Sequence, residues 1–430
     1  IPHGLAGLNW LAAVGIQYFV TGKFWTIFSV LFGMGFAVML TRAQASGSEF
    51  LKPYIRRVAA LAVFGILHNT FLWSCDILYC YAVTAGMLLL ILFASVRVFV
   101  SGTVLFGVIA FFPAMSAFFS IAAVFALAAW IALYLRNDRG IVHGFYAVSA
   151  SLLMVIAGGI AAFTEKKDVA LIVLLIAVFG FVLSYVLKRF HRKPEQRPLA
   201  VGVIYYLSIF VVAVAMSAYQ YVTVDQAETV TSRIHQNSQN DQKTAAADMA
   251  SAAVSASPAQ KTEDKKTLKN PEKKQQNSSD KGADQSDDSD EEVRLVQSNA
   301  YIELVKFRAH EFADSYDGRI WASLTVIPMF LIGFGLMRLG VMENTGAYLS
   351  QFKKMAWTGI PVGWSIGLAS AYFATEHFPG KNDEAFSLST SMRDLSDLPG
   401  CLGYLSLLVC LMHTRCAKYL RQLAPYGRMA

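Results

Sequence analysis

Residues that could carry out chemistry are concentrated in one short, otherwise apolar stretch. Within 56–81, His68 and Asn69 lie about six residues before the predicted outer end of one helix, and Asp76 opens the next helix. Six helical residues correspond to roughly 9 Å. A titratable side chain at this depth is a functional candidate, because its burial is costly unless it is partnered or hydrated.

His68 and Asp76 predict an acid–base pair. The turn around Ser74 and Cys75 is so short that the two flanking helices must be antiparallel neighbours, so the imidazole and the carboxylate can approach each other directly or through water. A histidine held by a carboxylate can act as a general base. The alternative is structural: His68 makes a hydrogen bond between helices, and Asp76 caps the helix that follows.

Four further residues are candidates for substrate binding. Lys23 precedes a helix at its outer end, where it either extends to the membrane interface or joins His68. Arg308 is expected to face the same side. Around one outward-facing cavity we therefore expect Lys23, Asn69, Trp73 and Arg308.

The elements that position these residues must be membrane helices. Of the 430 residues, 55% are hydrophobic and 16% are charged, whereas soluble proteins carry about 25% charged residues. This composition excludes a soluble globular enzyme, a disordered scaffold, a collagen-like fibre and a disulfide-rich secreted domain. The net charge of +7 does not require nucleic acid, because basic loops explain it.

Apolar stretches of about 20 residues predict ten to eleven spans in an all-α transmembrane bundle. One stretch is too long for a single span and contains Pro113, so we interpret it as a helical hairpin, 98–113 and 117–135, rather than as one kinked helix. The predicted spans are 24–40, 57–74, 77–96, this hairpin, 141–163, 169–187, 199–222, 321–340, 356–374 and 399–414.

Loop charges orient these spans. Basic clusters in short loops mark the cytoplasmic side, and the hairpin interpretation places all of them on that side, whereas a single helix would break the alternation. The clusters lie at 41–57, 97, 136–139, 188–198, 338–354 and 415–428. In a bacterium the opposite side, which carries His68, is the periplasm or the exterior.

The chain divides into three predicted parts. Residues 1–222 are the N-terminal transmembrane helices, and 223–298 form a polar, acidic segment without aromatic residues, which predicts an extracytoplasmic disordered linker. Residues 299–430 begin with an interfacial helix, 299–320, and continue with transmembrane helices. The charge alternation predicts a further helix before residue 1 and another after residue 430.

Glycines and cysteines carry weaker signals. Gly359, Gly363 and Gly367 recur every four residues, which predicts a groove for close approach of another helix. The pairs at 33–35 and 333–335 are weaker versions of this pattern. The cysteine and histidine spacing contains no metal motif and no cofactor is predicted; a bridge between Cys75 and Cys401, both near outer helix ends, is a minor hypothesis.

Several strings resemble a known bacterial family. "GKFWTIFSVLFGMGFAVML" (22–40) and "YIRRVAALAVFGILHNTFLWSCDILYCYAV" (54–83) resemble the YeiB-like membrane proteins, which carry a domain of unknown function numbered 418. "YIELVKFRAHEF" (301–312), "FLIGFGLMRLGVM" (330–342) and "APYGRMA" (424–430) resemble that domain. The resemblance covers about 22–96 and 299–430, and it implies that a first helix and C-terminal helices are missing here.

Two functions remain open. The family is distantly similar to integral-membrane acyltransferases that modify sugars on the outer side, which implies an acyl donor and a sugar or lipid acceptor, with His68 and Asp76 catalytic. The alternative is a transporter or a binder of lipids or small molecules, in which helices broken at Pro113, Pro328 or Pro361 line a route. Both place the protein in the bacterial inner membrane; substrate and oligomeric state stay open.

Overall fold

The fold is all-helical wherever it is described, as predicted. The computed structural model describes residues 7–73, 77–110, 112, 118–136, 151–152, 154–155, 159, 167–190, 193–223, 291–298, 300–376 and 383–422, and no strand occurs among them. The predicted span 141–163 lies almost entirely outside these residues.

The helices follow the apolar stretches closely. In chain order they are α1 (Leu8–Gly15, continued by a π-helical turn, Ile16–Val20), α2 (Lys23–Ser46), α3 (Leu51–Phe71), α4 (Leu78–Phe93), α5 (Val96–Ile109), α6 (Phe118–Arg136), α7 (Lys167–Phe190), α8 (Pro194–Thr223), α9 (291–297), α10 (Tyr301–Asp314), α11 (Tyr316–Arg338), α12 (Leu349–Glu376), α13 (Asp383–Met412) and α14 (Ala417–Arg421).

Three described helices are long and apolar enough to cross a membrane. They are Lys23–Ser46, Pro194–Thr223 and Ala385–Met412, and four shorter apolar helices lie at Leu78–Phe93, Val96–Ile109, Val124–Arg136 and Ala322–Arg338. These helices confirm the prediction that the chain is an all-α membrane protein. The number of ten to eleven spans stays a prediction.

The chain forms two compact units, one made of residues 1–218 and 308–430 and the other of residues 219–307. In the first unit, α11 packs against α2 and α4, α12 packs against α13, and two neighbouring pairs, α3 with α4 and α5 with α6, form hairpins. In the second unit, residues 291–297 of the predicted linker form a helix with an exposed pair between Arg294 and Glu291 at 3.5 Å. The three-part division of the chain stays a prediction.

Glycines set the closest helix crossings in the first unit. A Cβ on Gly33 of α2 would lie 2.1 Å from the Phe330 carbonyl oxygen of α11, and one on Gly333 would lie 1.9 Å from the Val30 carbonyl oxygen. Between α12 and α13, a Cβ on Gly363 would lie 2.8 Å from the Gly400 nitrogen. A Cβ on Gly359 would lie 2.7 Å from the Pro399 carbonyl oxygen. The predicted groove on α12 is therefore occupied by α13.

The predicted spans 356–374 and 399–414 left 375–398 as a loop, and this prediction is wrong from Asp383 onward. The helix expected to begin at residue 399 begins at Asp383, and Pro399 lies inside it. The polar residues that suggested a loop are buried against other helices: Ser389 bonds to Ser370 of α12, and Ser391 bonds to Ser217 of α8 at 3.1 Å. Pro328 and Pro361 also lie inside helices rather than at breaks.

Candidate functional site

The C-terminal end of α3 is the first of two polar sites. The last carbonyl groups of a helix have no partner within it, and here two arginines reach them and their neighbours. Arg308 of α10, 9% exposed, donates from Nη1 to the Leu72 carbonyl oxygen at 3.2 Å. We call the group formed by His68, Asn69, Arg308 and Arg319 the arginine cluster.

Arg319, at the start of α11, is held from three sides. Its Nη1 donates to Oδ1 of the fully buried Asn69 at 3.0 Å, and its Nε donates to the Ser315 hydroxyl at 3.2 Å. Its guanidinium carbon lies 4.4 Å from the centre of the Phe312 ring, a cation–π contact. These contacts fix the position of the guanidinium.

His68 is half-buried and immediately precedes Asn69. Its carbonyl oxygen accepts hydrogen bonds from the backbone nitrogens of Leu72 and Trp73, both at 2.9 Å, which close the end of the helix. Trp73 is 64% exposed. Asp76 lies outside the described residues, so its pairing with His68 stays a prediction.

At this helix end Arg319, which the sequence reasoning missed, contacts Asn69, and Arg308 contacts the Leu72 carbonyl; His68 precedes Asn69 in the chain. Two guanidinium groups at a helix C-terminus can bind a phosphate or carboxylate bidentately. A histidine at the same helix end is a candidate general base.

Lys23 belongs to a second site, deep in the bundle. Its Nζ lies 2.8 Å from Oδ1 of Asp397 on α13 and donates to the Ser396 hydroxyl at 2.9 Å. The side chains of Lys23 and Asp397 are 1% and 4% exposed, so Lys23 does not extend to the surface. Among the described residues, Asp397 and Ser396 are its polar partners.

The ion pair lies at a break between two helices. The π-helical turn ends at Val20, and α2 begins at Lys23 after Gly22, whose φ of +82° favours glycine. A Cβ on Gly22 would lie 2.2 Å from Asp397 Oδ2, so only glycine lets the carboxylate approach this closely. The carboxylate thus lies over the N-terminus of α2, where the helix dipole favours negative charge.

Tyr206 of α8 fixes the part of α13 that carries Asp397. Its hydroxyl donates to the Asp394 carbonyl oxygen and accepts from the Leu398 nitrogen at 3.1 Å. Tyr206 and Ser396 are fully buried. Three helices, α2, α8 and α13, therefore meet at this charged pair.

Neither a metal centre nor a disulfide is found in the described part of the chain. Within it, no group of three or more histidine, cysteine, aspartate or glutamate side chains is placed to hold a metal ion. Cys401 is buried with a free thiol, and Cys75 lies outside the described residues.

The apolar helices and buried charges define an all-α membrane protein. Residues 336–430 match a family model described as "Protein of unknown function (DUF418)", which confirms the predicted resemblance over that segment.

Two relatives match shorter segments. "Uncharacterized protein YxaH" of Bacillus subtilis (strain 168) is 40% identical over 82 residues, 19% of this chain and 20% of the relative. "Uncharacterized 39.9 kDa protein in amylase 3'region" of Bacillus acidopullulyticus is 38% identical over 56 residues, 13% of this chain and 16% of the relative. The chain thus spans a fifth or less of each relative. No solved structure matches.

Proposed function

We propose that this protein is a membrane enzyme of the acyltransferase type that acts at the arginine cluster. In this proposal His68 removes the proton of a hydroxyl group on an extracytoplasmic sugar or lipid. The hydroxyl oxygen then attacks the carbonyl carbon of an acyl donor, so that a new ester bond forms and the bond between the acyl group and the donor breaks. The protonated His68 returns its proton to the leaving group of the donor, which restores the base.

The observation that carries the proposal is the convergence of a histidine and two arginines at one helix end. Arg308 and Arg319 reach the end of α3 within a few residues of His68. In this arrangement the guanidinium groups bind an anionic part of the donor or acceptor, while the imidazole serves as the base. Asp76 orients His68 if the predicted pairing holds.

Loss of an acylated product in a deletion strain tests the proposal. The acyl content of cell-envelope glycans and lipids is compared by mass spectrometry between the parent and the deletion strain. We expect one class of O-acyl groups to disappear and to return when the gene is restored. An unchanged acyl profile contradicts the proposal.

A second candidate function, transport, is favoured by the buried ion pair of Lys23 and Asp397 next to the helix junction at Gly22. Asp397 precedes the end of α13 by fifteen residues, about 22 Å of helix. If that end lies at the membrane surface, the pair lies inside the roughly 30 Å hydrocarbon core, about 8 Å from its opposite face. Transporters place ionisable groups at discontinuous helices at such depths.

The same strains distinguish the two candidates. A transporter changes the distribution of a small molecule between cells and medium without changing the acyl profile of the envelope. In that case Asp397→Asn reproduces the deletion phenotype, whereas His68→Ala does not.

A further inference from the structure

A second ligand site lies at the opposite end of α11 from the arginine cluster. Arg319 is near the start of this helix, and a cavity of about 810 Å³ is lined by residues near its end, such as Leu336 and Leu339. Seventeen residues, about 25 Å, separate Arg319 from Leu336. This cavity is therefore distinct from the site of the proposed reaction and does not depend on it.

The lining is apolar except at one end. Helix α8 contributes residues from Gln196 to Val211, about 22 Å along its axis, and the other walls come from α7, α11, α12 and α13. The uncharged polar side chains of the lining, Gln196, Tyr348 and Gln351, all lie where α8 and α12 begin. The cavity is thus a long apolar channel with a polar mouth.

Exposed basic residues lie close in sequence to the lining residues at this mouth. Lys193 precedes Gln196 on α8, Lys353 and Lys354 follow Gln351 on α12, and Arg338 precedes Leu339; all four are exposed. Lys188 and Arg189, also exposed, end α7 beside the lining residue Phe190. Exposed Glu195 and Glu343 are the nearby acidic residues, so the positive charge predominates.

From the apolar channel, polar mouth and nearby basic residues we propose that this cavity binds one acyl chain of an anionic phospholipid, with the phosphate at Gln196 and Gln351. A volume near 810 Å³ lies within the range of ligand pockets, which are mostly apolar with a few placed polar groups. A depth of about 22 Å exceeds the ~15 Å half-thickness of the hydrocarbon core. An extended acyl chain therefore fits, and clustered lysines and arginines attract its anionic headgroup.

Photolabelling of the purified full chain tests the proposal. The probe is phosphatidylglycerol with a diazirine in one acyl chain, and the competitors are unlabelled phosphatidylglycerol and phosphatidylcholine with the same chains. We expect the label to concentrate on 196–211, and phosphatidylglycerol to compete at about tenfold lower concentration than phosphatidylcholine. Label spread evenly over lipid-facing helices, or equal competition, overturns the proposal.

Three variants separate the channel from the nearby basic residues. Val203→Phe fills the channel and is expected to reduce labelling of 196–211 at least about fivefold. Lys353→Glu combined with Lys354→Glu leaves the channel intact and removes the preference for phosphatidylglycerol, whereas Arg42→Glu, an exposed charge reversal on α2, retains it. The lysine variants change only exposed side chains, so they test the lipid preference even if Val203→Phe fails to fold. An unchanged preference for phosphatidylglycerol in them contradicts the proposal.

Discussion

At the scale of single side chains, Lys23 and Asp397 form a salt bridge inside the bundle. Both partners are almost fully buried, and Ser396 and the N-terminus of α2 provide further stabilisation. A buried charge left without its partner typically costs about 3–5 kcal/mol, whereas an apolar pair of similar volume can be neutral.

We therefore predict that Lys23→Met or Asp397→Leu alone destabilises the protein by about 3–5 kcal/mol, and that the double variant recovers most of this loss. Thermal and denaturant unfolding in detergent measures the effect. The control is Lys52→Met, which removes an exposed pair with Glu49 and should change stability little. Single variants as stable as the double variant would contradict the pairing.

Arg319 yields a second prediction at this scale. Arg319→Met leaves the Asn69 amide oxygen without its donor in a fully buried position, which should cost about 1–3 kcal/mol. Arg338→Met, on the same helix but exposed, is the matched control and should leave the unfolding temperature nearly unchanged. If both variants unfold alike, the contact with Asn69 contributes nothing.

Sequence reasoning could locate single residues in the bundle but not all of their partners. His68 and Asn69 were singled out because polarity inside an apolar stretch is costly and therefore visible, and Arg308 because its interfacial helix was expected to face the same side. Arg319 was missed because it stands at the start of a span, where an arginine usually faces water. Asp397 was missed because its polar neighbours suggested a loop.

At the scale of helices, glycines decide which elements touch. Gly33 and Gly333 let the backbones of α2 and α11 meet, and Gly359 and Gly363 do the same for α12 against α13. In membranes such small residues drive association through close packing and backbone contacts. The four-residue glycine spacing predicted the second contact, but it could not name the partner helix.

Gly33 and Gly35 provide a matched test within one helix. A Cβ on Gly33 would meet the Phe330 carbonyl, whereas one on Gly35 would meet nothing within 4 Å. Gly33→Ala should therefore destabilise the protein by about 1–3 kcal/mol, and Gly35→Ala should be neutral or stabilise it by up to ~1 kcal/mol. Unfolding in detergent measures both; equal effects would contradict the crossing of α2 and α11.

Helix boundaries were the least predictable feature at this scale. Apolar runs placed both ends of α4 within three residues, whereas α2 continues six residues beyond its predicted end at residue 40. The start of α13 was misplaced by sixteen residues, because its serines and Asp397 bond to other helices and not to water. The hydrogen bonds of these polar side chains depend on packing between helices that are distant in sequence. Hydropathy along the chain carries no information on that packing.

For the whole molecule, the alternation of basic loops predicts an orientation that accessibility can test. We expect a cysteine introduced at Ser238 in the predicted linker to react with a membrane-impermeant maleimide in intact cells. The native Cys416, exposed after α13, should react only after the membrane is opened. A Cys75→Ser background removes one of the two native cysteines predicted near the outer surface; the other, Cys401, is buried.

The result that would reverse this orientation is labelling of Cys416 in intact cells with protection of Ser238→Cys. His68 and the two arginines would then face the cytoplasm, and the acceptor could not be an extracytoplasmic sugar or lipid. The orientation is predicted from loop charge, which can be read directly from the sequence. The position of the arginine cluster depends on packing among α3, α10 and α11, which cannot.

The most direct test of the proposed reaction compares two histidines in chromosomal alleles. His68→Ala removes the proposed base, whereas His310→Ala removes an exposed histidine paired with Asp314 on α10. General base catalysis contributes roughly 10²–10⁴-fold to a rate. Both variants must be present at parental levels in the membrane. We then expect envelope O-acylation to fall at least about a hundredfold in His68→Ala and to stay at the parental level in His310→Ala. Parental acylation in His68→Ala would contradict the role of His68 as the base.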